Sequence, residues 1–353
     1  GCVVKAFPDT LVIEKPGKEQ TACPRSIIPE KTIVSESWLL LFVHVLAIFM
    51  RCGKIKLHNE AILTQALNEN KIQFDYNNAL RIFASQKKVF DLLLEITHNP
   101  QKVIIECPYT IMGYVWALHQ KGIPVIELQH GVLNDKHYAY NSLYSSQILY
   151  PDEICVFGED EYQYLINDNC HYCKKVYKTG LYFMDLAKHN FIDDAFKEYR
   201  NKYGYIILVA GQRGYEDAMA DYVNEVAKRT PNCLYVYVPR NNDAGLDFNQ
   251  NNIIYRPGAN IYEYMIWCDV HLTISSTTCL ECQYYKKPTI FYNYSDMSVN
   301  YYSKVLKPEN GVVYTDSADE YENALETVLT KVFAYKEVFA MNTVEKIKKV
   351  IMK

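Results

Sequence analysis

The stretch from Asp269 to Tyr292 constrains the possible folds of this chain more than any other. It opens with an apolar run, Val270 to Ile274, which predicts a buried strand. The run ends abruptly at four consecutive hydroxyl residues, Ser275, Ser276, Thr277 and Thr278. A short amphipathic segment and a second apolar run, Thr289 to Tyr292, follow. Strand, hydroxyl-rich turn, helix and strand in this order predict a site for phosphate oxygens, because the free N–H groups of a helix start bind anions.

The same alternation of apolar strands and amphipathic helices recurs in both halves of the chain. Strands are predicted at Lys102–Glu106, Pro124–Leu128, Glu153–Gly158, Tyr205–Ala210, Leu234–Val238 and Ile253–Tyr255. Strands of this length separated by helices predict parallel sheets that are covered on both faces. Between the halves lies a polar, charged segment, residues 186–203, which predicts a linker.

We therefore expect an α/β protein with two Rossmann-like, doubly wound parallel-sheet domains that face a cleft. The predicted domains are residues 1–185 and 204–330, and residues 331–353 are predicted to form a closing C-terminal helix. A chain of 353 residues is long enough for two such cores. Ligands of open parallel sheets bind beyond the carboxyl ends of the strands.

Composition excludes some classes of function. The net charge of −4 and the lack of a long basic run argue against nucleic-acid binding. The 11 cysteines follow no disulfide framework and no signal peptide is visible, so we expect reduced thiols in a cytoplasmic protein. Cys170 and Cys173 have a spacing found in zinc sites, but no second ligand pair is evident, so neither a metal nor another cofactor is expected.

The most apolar segment, Ser37 to Met50, has two interpretations. It is too short to cross a bilayer, which takes about 20 residues. A buried core helix is the first interpretation. The second is a helix that lies on the inner membrane face, with Arg51, Lys54 and Lys56 meeting anionic lipid, which would give peripheral membrane contact through residues 37–56.

Four polar motifs directly follow predicted strands. They are Gln129-His130-Gly131, Gly211-Gln212-Arg213-Gly214, Pro239-Arg240 and the hydroxyl turn Ser275–Thr278. Because the carboxyl ends of parallel strands share one edge of a sheet, the motifs of each half are predicted to converge on a ligand.

His130 is the candidate catalytic residue. An imidazole with an ordinary pKa suits a general base near neutral pH, and Gly131 permits a sharp turn beside the ligand. The alternative is a histidine that only hydrogen-bonds the backbone at a strand end. Asp135 and His137 are reserve catalytic candidates, and Glu127, inside the strand, is predicted to be structural.

The candidates for contact with a nucleotide donor, besides the hydroxyl turn, are Gly211, Gln212, Arg213, Pro239, Arg240 and Glu281. Arg213 can neutralise a diphosphate, and Arg240 can reach phosphate beside a backbone that frames a nucleobase. The carboxylate of Glu281 can accept two hydrogen bonds from ribose hydroxyls. For each position the alternative is an ordinary solvated turn or helix.

At these residues the sequence resembles a known family. The segment from Ser275 to Pro288 resembles the donor-binding segment of GT-B glycosyltransferases, with Leu280-Glu281 and Pro288 at the family's spacing and Lys286 where many members have glycine. Gln129-His130-Gly131 resembles the His-Gly motif of bacterial surface-polysaccharide transferases, including the CDP-glycerol glycerophosphotransferase-like and capsule-polymer groups. The loops after the later strands are similar to those of capsule transferases, which carry His-Pro where this chain has Val238-Pro239.

The resemblance implies a metal-independent glycosyltransferase of surface-polysaccharide biosynthesis. The N-terminal domain would then bind a glycan or lipid-linked acceptor, with His130 as general base. The C-terminal domain would bind the activated donor, of the CMP, CDP, UDP or GDP type, with the hydroxyl turn on phosphate and Glu281 on ribose. Two alternatives remain open: a sugar-nucleotide epimerase or hydrolase on the same scaffold, and a non-catalytic partner that binds glycan.

Overall fold

The computed structural model describes residues 4, 7, 9–14, 32–50, 57–133, 137, 139–141, 148–167, 172–181, 184, 194–240 and 245–353. Some positions discussed above lie outside the described residues, namely Arg51, Lys54, Lys56, Asp135, Cys170 and linker residues 186–193.

The N-terminal half is built on a parallel sheet of four strands in the order β3-β4-β5-β6. The strands of this half are β1 Leu11–Glu14 and β2 Thr32–Ser35, which form a separate parallel pair, and β3 Val103–Ile105, β4 Val125–Leu128, β5 Glu153–Val156 and β6 Lys175–Lys178. Its helices are α1 Glu36–Phe49, α2 Glu60–Glu69, α3 Tyr76–Ile96, α4 Met112–Gln120 and α5 Glu159–Asn167. A short 3-10 helix, Pro108–Thr110, follows β3. We call this half the N-terminal lobe.

The C-terminal half is built on a parallel sheet of six strands in the order β12-β11-β10-β7-β8-β9. Its strands are β7 Tyr205–Ala210, β8 Cys233–Val238, β9 Ile253–Tyr255, β10 Val270–Thr273, β11 Thr289–Tyr292 and β12 Val312–Thr315. The helices after residue 193 are α6 Asp194–Lys202, α7 Glu216–Arg229, α8 Ile261–Trp267, α9 Thr278–Tyr284, α10 Met297–Tyr302, α11 Tyr321–Thr330 and α12 Thr343–Ile351, with 3-10 turns at Tyr294–Asp296 and Pro308–Asn310. The six strands and α6–α11 are the C-terminal lobe.

Helices cover both faces of the six-stranded sheet, as the strand sequences predict. Alternate residues of β7 point to opposite sides: Ile207 and Val209 lie in the core under α7 and α11, whereas Ile206 and Leu208 lie in the core under α8. Apolar side chains on both sides bury both faces of a strand, which explains the uninterrupted apolar run of β7. The expectation of two parallel-sheet α/β lobes is confirmed.

The strand order reverses between β7 and β10. From β7 the chain proceeds outward to β8 and β9, and it then returns to the other side of β7 to form β10, β11 and β12. Loops that leave adjacent strands in opposite directions open a crevice at the carboxyl edge of the sheet, where ligands of doubly wound folds bind. In this lobe the crevice separates the loop after Ala210 from the turn after Thr273.

The end of the chain returns to the N-terminal lobe, but less of it is helical than the sequence suggests. The expectation of a helix throughout residues 331–353 is wrong, because only Thr343–Ile351 is α-helical. Before this helix, Val338 and Phe339 are buried between the lobes, and the N–H of Ala340 donates to the carbonyl of Phe157 at 2.8 Å. These contacts hold the segment in an irregular path.

The described part of the predicted linker packs as a helix on the C-terminal lobe. Arg200 of α6 forms an ion pair with Asp269 at 2.5 Å, and Tyr199 and Tyr203 lie against the core under α8. Residues 194–202 therefore belong to the C-terminal lobe by their contacts.

The apolar segment Ser37–Met50 forms α1, capped at its start by Ser35, whose side chain accepts from the N–H of Ser37. Only one side of the helix is buried. The first interpretation, a buried core helix, is therefore correct for one side of α1 only. No described helix is long and apolar enough to cross a membrane.

Candidate functional site

The loop from Gly211 to Gly214, which requires glycine at both of its ends, borders the crevice of the C-terminal lobe. A Cβ atom on Gly211 would lie 2.9 Å from the Cα of Pro239, so a side chain would push the ends of β7 and β8 apart. Gly214 has a φ of 82°, a left-handed conformation that other residues rarely adopt. Within this loop Gln212 is half-buried and Arg213 is exposed. The loop therefore presents a guanidinium beside the crevice.

The hydroxyl turn borders the other side of the crevice. Ser275 and Ser276 are half-buried and Thr277 is exposed. The hydroxyl of Ser276 accepts from the N–H of Thr278 at 3.4 Å, and the hydroxyl of Tyr302 donates to the carbonyl of Ser275 at 3.1 Å. These bonds fix the turn and leave three hydroxyl residues at the surface of the crevice.

Thr278 departs from the expected pattern, because its side chain faces the protein core. Its hydroxyl is buried and lies 2.9 Å from Nε2 of His271. Burial lowers the pKa of His271 to about 3, so this imidazole is neutral, and its Nδ1 lies 3.1 Å from the hydroxyl of Thr289. The expectation that all four hydroxyls reach a ligand therefore fails at Thr278, whose hydroxyl satisfies a buried histidine instead.

Glu281 is buried one turn into α9, with 6% of its surface exposed. Its Oε1 accepts from the hydroxyl of Tyr262 at 3.2 Å, whereas Oε2 has no hydrogen-bond partner among the described residues. Burial raises the pKa of this carboxyl to about 7, against the opposing effects of Tyr262 and of the nearby positive charge of Arg240. A buried acceptor without a donor is costly, so the position suits a ligand that brings hydroxyl groups.

The loop after β8 supplies the remaining donor candidates. Pro239 is buried against Gly211, and Arg240 is exposed. Val238, at the end of β8, packs in one buried cluster with Cys282 of α9, so the loop after β8 lies next to α9. The structure thus brings the predicted donor residues of β7, β8, β10 and α9 to one edge of the sheet.

In the N-terminal lobe, His130 is backed by a buried carboxylate. The hydroxyl of Tyr140 donates to Oε1 of Glu127 at 2.9 Å and lies 3.0 Å from Nδ1 of His130. The single phenolic proton goes to Glu127, so the phenolic oxygen accepts from Nδ1–H of His130. Nε2 is then the ring nitrogen that Tyr140 does not engage. Nε2 lies 3.3 Å from the hydroxyl of the exposed Tyr109.

Glu127 is fully buried and uses both carboxylate oxygens. Besides Tyr140 on Oε1, the hydroxyl of Tyr172 donates to Oε2 at 2.5 Å. Burial and the charge of Glu127 raise the pKa of both tyrosines, so both keep their protons. The prediction that Glu127 is structural is therefore incomplete, because its carboxylate also lies 3.6 Å from Nδ1 of His130.

The pKa of His130 departs from that of an ordinary histidine. Burial alone would lower it, but hydrogen bonding to Cys107 and Glu127 raises it to about 9. Cys107 and the buried carboxylate of Glu127 together account for the direction, because hydrogen-bond acceptors and a neighbouring negative charge favour the imidazolium. At neutral pH most of His130 is protonated, and the fraction able to accept a proton grows as the pH rises.

His137 lies beside His130, with ring centroids 6.0 Å apart, and its ring packs on Tyr140 at 4.8 Å. Burial and the positive charge of His130 lower the pKa of His137. The second reserve candidate, Asp135, lies outside the described residues. The N-terminal site thus holds two histidines whose pKa values are displaced in opposite directions.

The two lobes meet where their sites lie. Val132, two residues after His130, packs in one buried cluster with Phe157 of the N-terminal lobe and with Cys279 and Leu280 of α9. The loop that carries His130 and the turn that precedes α9 therefore border the same contact between the lobes.

Sequence reasoning did not assign Tyr140, Tyr262 or the second role of Glu127. The signal for Glu127 was present, because an acidic residue inside the apolar run PVIEL must find partners if the strand is buried. Its partners Tyr140 and Tyr172 are distant in sequence, and only the fold brings them together.

Among the described residues, no group of three or more histidine, cysteine, aspartate or glutamate side chains is arranged to hold a metal ion. Cys279 and Cys282 of α9 are fully buried free thiols, as expected of core residues.

No family model and no curated protein matches the sequence. Solved structures match it in fold. A putative UDP-N-acetylglucosamine 2-epimerase from Listeria monocytogenes has a TM-score of 0.58 at 11% identity, over 97% of this chain and 95% of that chain. S. aureus MnaA, solved with UDP, has a TM-score of 0.57 at 12% identity, over 89% and 92%. The glycotransferase of kitacinnamycin has a TM-score of 0.57 at 10% identity, over 99% and 88%.

The chain has a GT-B-like fold. At these identities the likeness extends to the fold alone. It covers nearly the whole of each chain, so both lobes take part in it.

Proposed function

We propose that this protein is a nucleotide-sugar enzyme that transfers a sugar, or an alditol phosphate, from a nucleotide-activated donor to a glycan acceptor in bacterial surface-polysaccharide synthesis. The observation that carries the proposal is the free, buried Oε2 of Glu281 beside a switch-point crevice. A ribose supplies vicinal hydroxyl donors, which suit a carboxylate that has one oxygen occupied and one available.

On the donor side, the nucleotide lies along the edge of the six-stranded sheet. Ser275, Ser276 and Thr277 hold phosphate oxygens, together with the backbone of Gly211 and Gln212. Pro239 frames the base, and Arg213 and Arg240 offset the charge of the departing nucleotide. S. aureus MnaA was solved with UDP, which favours UDP within the nucleotide classes considered.

On the acceptor side, His130 accepts the proton of the attacking hydroxyl at Nε2. The acceptor oxygen forms a bond to the transferred group while the bond from that group to the nucleotide phosphate breaks, and the nucleotide leaves with the electron pair. Glu127 and Tyr140 hold the ring and stabilise the imidazolium that forms. The acceptor is a glycan, free or lipid-linked, and the reaction takes place on the cytoplasmic side.

A sugar-nucleotide epimerase is the second candidate. Inverting a carbon centre by removing and returning a proton requires both a base and an acid. His130, with a raised pKa, and His137, with a lowered pKa, lie side by side and offer such a pair. The Listeria protein with this fold is described as a putative UDP-N-acetylglucosamine 2-epimerase, which is consistent with this chemistry.

Two measurements test the proposal. A thermal-shift screen with CMP, CDP, UDP, GDP and ADP identifies the nucleotide, because a ligand that binds only the folded state raises its stability. The matching nucleotide-sugar is then incubated with and without a glycan acceptor, and the products are separated by chromatography. Transfer that requires acceptor supports the first candidate, and an isomeric nucleotide-sugar formed without acceptor supports the second. If no nucleotide binds, by thermal shift or calorimetry, both are wrong and a non-catalytic glycan-binding role is left.

A further inference from the structure

One side of α1 carries an exposed apolar stripe. Its members, with their exposed fractions, are Trp38 62%, Leu41 51%, Phe42 57%, Val45 42%, Ile48 56% and Phe49 74%. These positions recur every three or four residues, so they lie along one side of the helix. Among the described helices no other carries more than two exposed large apolar residues. We call this set the α1 stripe.

The opposite side of α1 attaches the helix to the N-terminal lobe. Leu39, Val43 and Ala47 are buried, and Val43 packs with Phe90 and Leu94 of α3. The helix is therefore held in place by a separate set of side chains. The stripe is about 16 Å long, from a rise of 1.5 Å per residue, and contiguous apolar surface of this extent marks an interaction site.

The charges that follow the stripe in the sequence indicate which partner fits. From Ser37 to Lys56 the sequence contains three cations, Arg51, Lys54 and Lys56, and no acidic residue. The placement of these cations lies outside the described residues. A second copy of this chain would bring the same apolar and cationic residues and no acidic complement from this segment. An anionic lipid surface offers both an apolar interior and negative headgroups.

We propose that the α1 stripe binds the surface of an anionic lipid bilayer. Trp38, Phe42 and Phe49 enter the boundary between headgroups and acyl chains, and the helix lies along the membrane plane. The cations that follow this helix in the sequence favour an anionic surface over a neutral one. The proposal is independent of the enzymatic one, because binding to lipid is measured without any donor or acceptor.

The experiment is co-sedimentation of the protein with vesicles of phosphatidylcholine alone or mixed with phosphatidylglycerol. The wild type is expected to bind the mixed vesicles, and to bind them more weakly as salt is added. The double variant Phe42→Ser, Phe49→Ser is expected to bind at least about tenfold more weakly, because two phenylalanine rings no longer leave water for the bilayer.

The matched control is the double variant Ile166→Ser, Val332→Ser, which removes two exposed apolar side chains, 46% and 100% exposed, outside α1. It is expected to bind vesicles as the wild type does. Equal loss in both double variants, or no binding by the wild type, overturns the proposal. Wild-type dimers that dissociate in the Phe42, Phe49 variant, without vesicle binding, would assign the stripe to a second copy.

A fluorescence measurement keeps the test decisive if the double variant does not fold. Trp38 is the most exposed of the three tryptophans, since Trp116 and Trp267 are half-buried. Mixed vesicles are expected to shift the wild-type emission to shorter wavelength, and Trp38→Phe is expected to remove that shift. A shift that persists in Trp38→Phe contradicts membrane entry at the α1 stripe.

Discussion

Glu127 of the N-terminal lobe and Glu281 of the C-terminal lobe are both buried carboxylates, and the two differ in how their oxygens are used. Glu127 of the N-terminal lobe is fully buried, and both oxygens accept hydrogen bonds, from Tyr140 and Tyr172. Glu281 of the C-terminal lobe is 6% exposed, and only Oε1 has a partner among the described residues. A carboxylate whose two oxygens both have protein donors is held by its neighbours, whereas an oxygen without a partner can accept a hydrogen bond from a ligand.

Under the proposed function, the N-terminal lobe carries out the chemistry and the C-terminal lobe binds the nucleotide. Glu127 fixes the ring of His130 and its charge, whereas Glu281 keeps an acceptor available beside the crevice. The following predictions separate these roles, from the largest expected effect to the smallest.

His130→Ala is expected to lower turnover about a thousandfold, within the 10²–10⁴ range of general acid–base catalysis. Nucleotide affinity, measured by calorimetry, is expected to stay within about twofold of the wild type, because the imidazole lies on the other lobe. The control is His58→Ala, at an exposed position before α2. A variant that keeps near-normal turnover removes His130 from the reaction.

Glu281→Gln is expected to weaken nucleotide binding about 10- to 100-fold, because a charge-assisted hydrogen bond contributes about 1.5–3 kcal/mol. Glu322→Gln, on the exposed surface of α11, is the control for loss of a charge. Unchanged nucleotide affinity in Glu281→Gln would end its assignment to ribose.

In the protein without ligand, Glu281→Gln is expected to raise the stability instead of lowering a binding affinity. Burial raises the pKa of Glu281 to about 7, above its ordinary value of 4.5, so its neutral form is favoured in the folded state. Its contribution to stability is present at low pH and is lost as the pH rises toward 7. Glu281→Gln is therefore expected to melt above the wild type at pH 8 without ligand, and to lose this advantage near pH 4.

Glu127→Gln tests the coupling of Glu127 to His130. If His130 is the base, wild-type kcat/KM rises with pH toward a midpoint near 9, the raised pKa of His130. Removing the carboxylate is expected to move that midpoint toward the ordinary value of about 6.5. Glu153→Gln, in the neighbouring strand β5, is the control. A midpoint that does not move would reduce Glu127 to a packing residue.

The pH dependence of the free energy of unfolding gives a second test of the coupling between Glu127 and His130. The folded-state pKa of His130 lies above the ordinary one, so its contribution to stability is complete below about pH 6.5 and is lost as the pH rises through 9. Chemical denaturation from pH 6.5 to 9 is therefore expected to show a smaller loss in Glu127→Gln than in the wild type.

Thr278→Val and Ser275→Ala separate the structural role of the hydroxyl turn from its predicted role in nucleotide binding. Thr278→Val leaves the buried His271 without a partner at Nε2 and is expected to cost about 1–3 kcal/mol of stability, with nucleotide affinity retained. Ser275→Ala is expected to leave the free energy of unfolding unchanged and to weaken nucleotide binding a few-fold, about 0.5–1.5 kcal/mol. The reverse pattern would mean that Thr278, and not Ser275, contacts the donor.

The sequence predicts the sheets of this protein better than its closing segment. Strands such as β7 and β8 carry apolar side chains on both sides, so their burial follows from composition alone. Residues 331–342 read as helical, but Val338 and Phe339 gain more from burial between the lobes than from a helix. The burial of these two side chains depends on the position of both lobes, so the local sequence pattern cannot predict it.

The positions of candidate site residues were predictable, but their partners were not. Motifs at strand ends placed His130 and the crevice residues, because parallel strands end at one edge. The inward turn of Thr278 depends on His271, a histidine inside an apolar strand that needs a buried partner. The pKa of His130 depends on Cys107 and Glu127, which two different segments supply.

The return of the chain to its first lobe has a consequence for synthesis and folding. Ile347 and Val350 complete the core around Ile126 and Cys155, and Lys102 bonds the carbonyl of Ile351, 249 residues away. The N-terminal lobe therefore has an open apolar face until residues 347–351 have left the ribosome. Contacts of such sequence separation form slowly, so the nascent chain is exposed to aggregation during that wait.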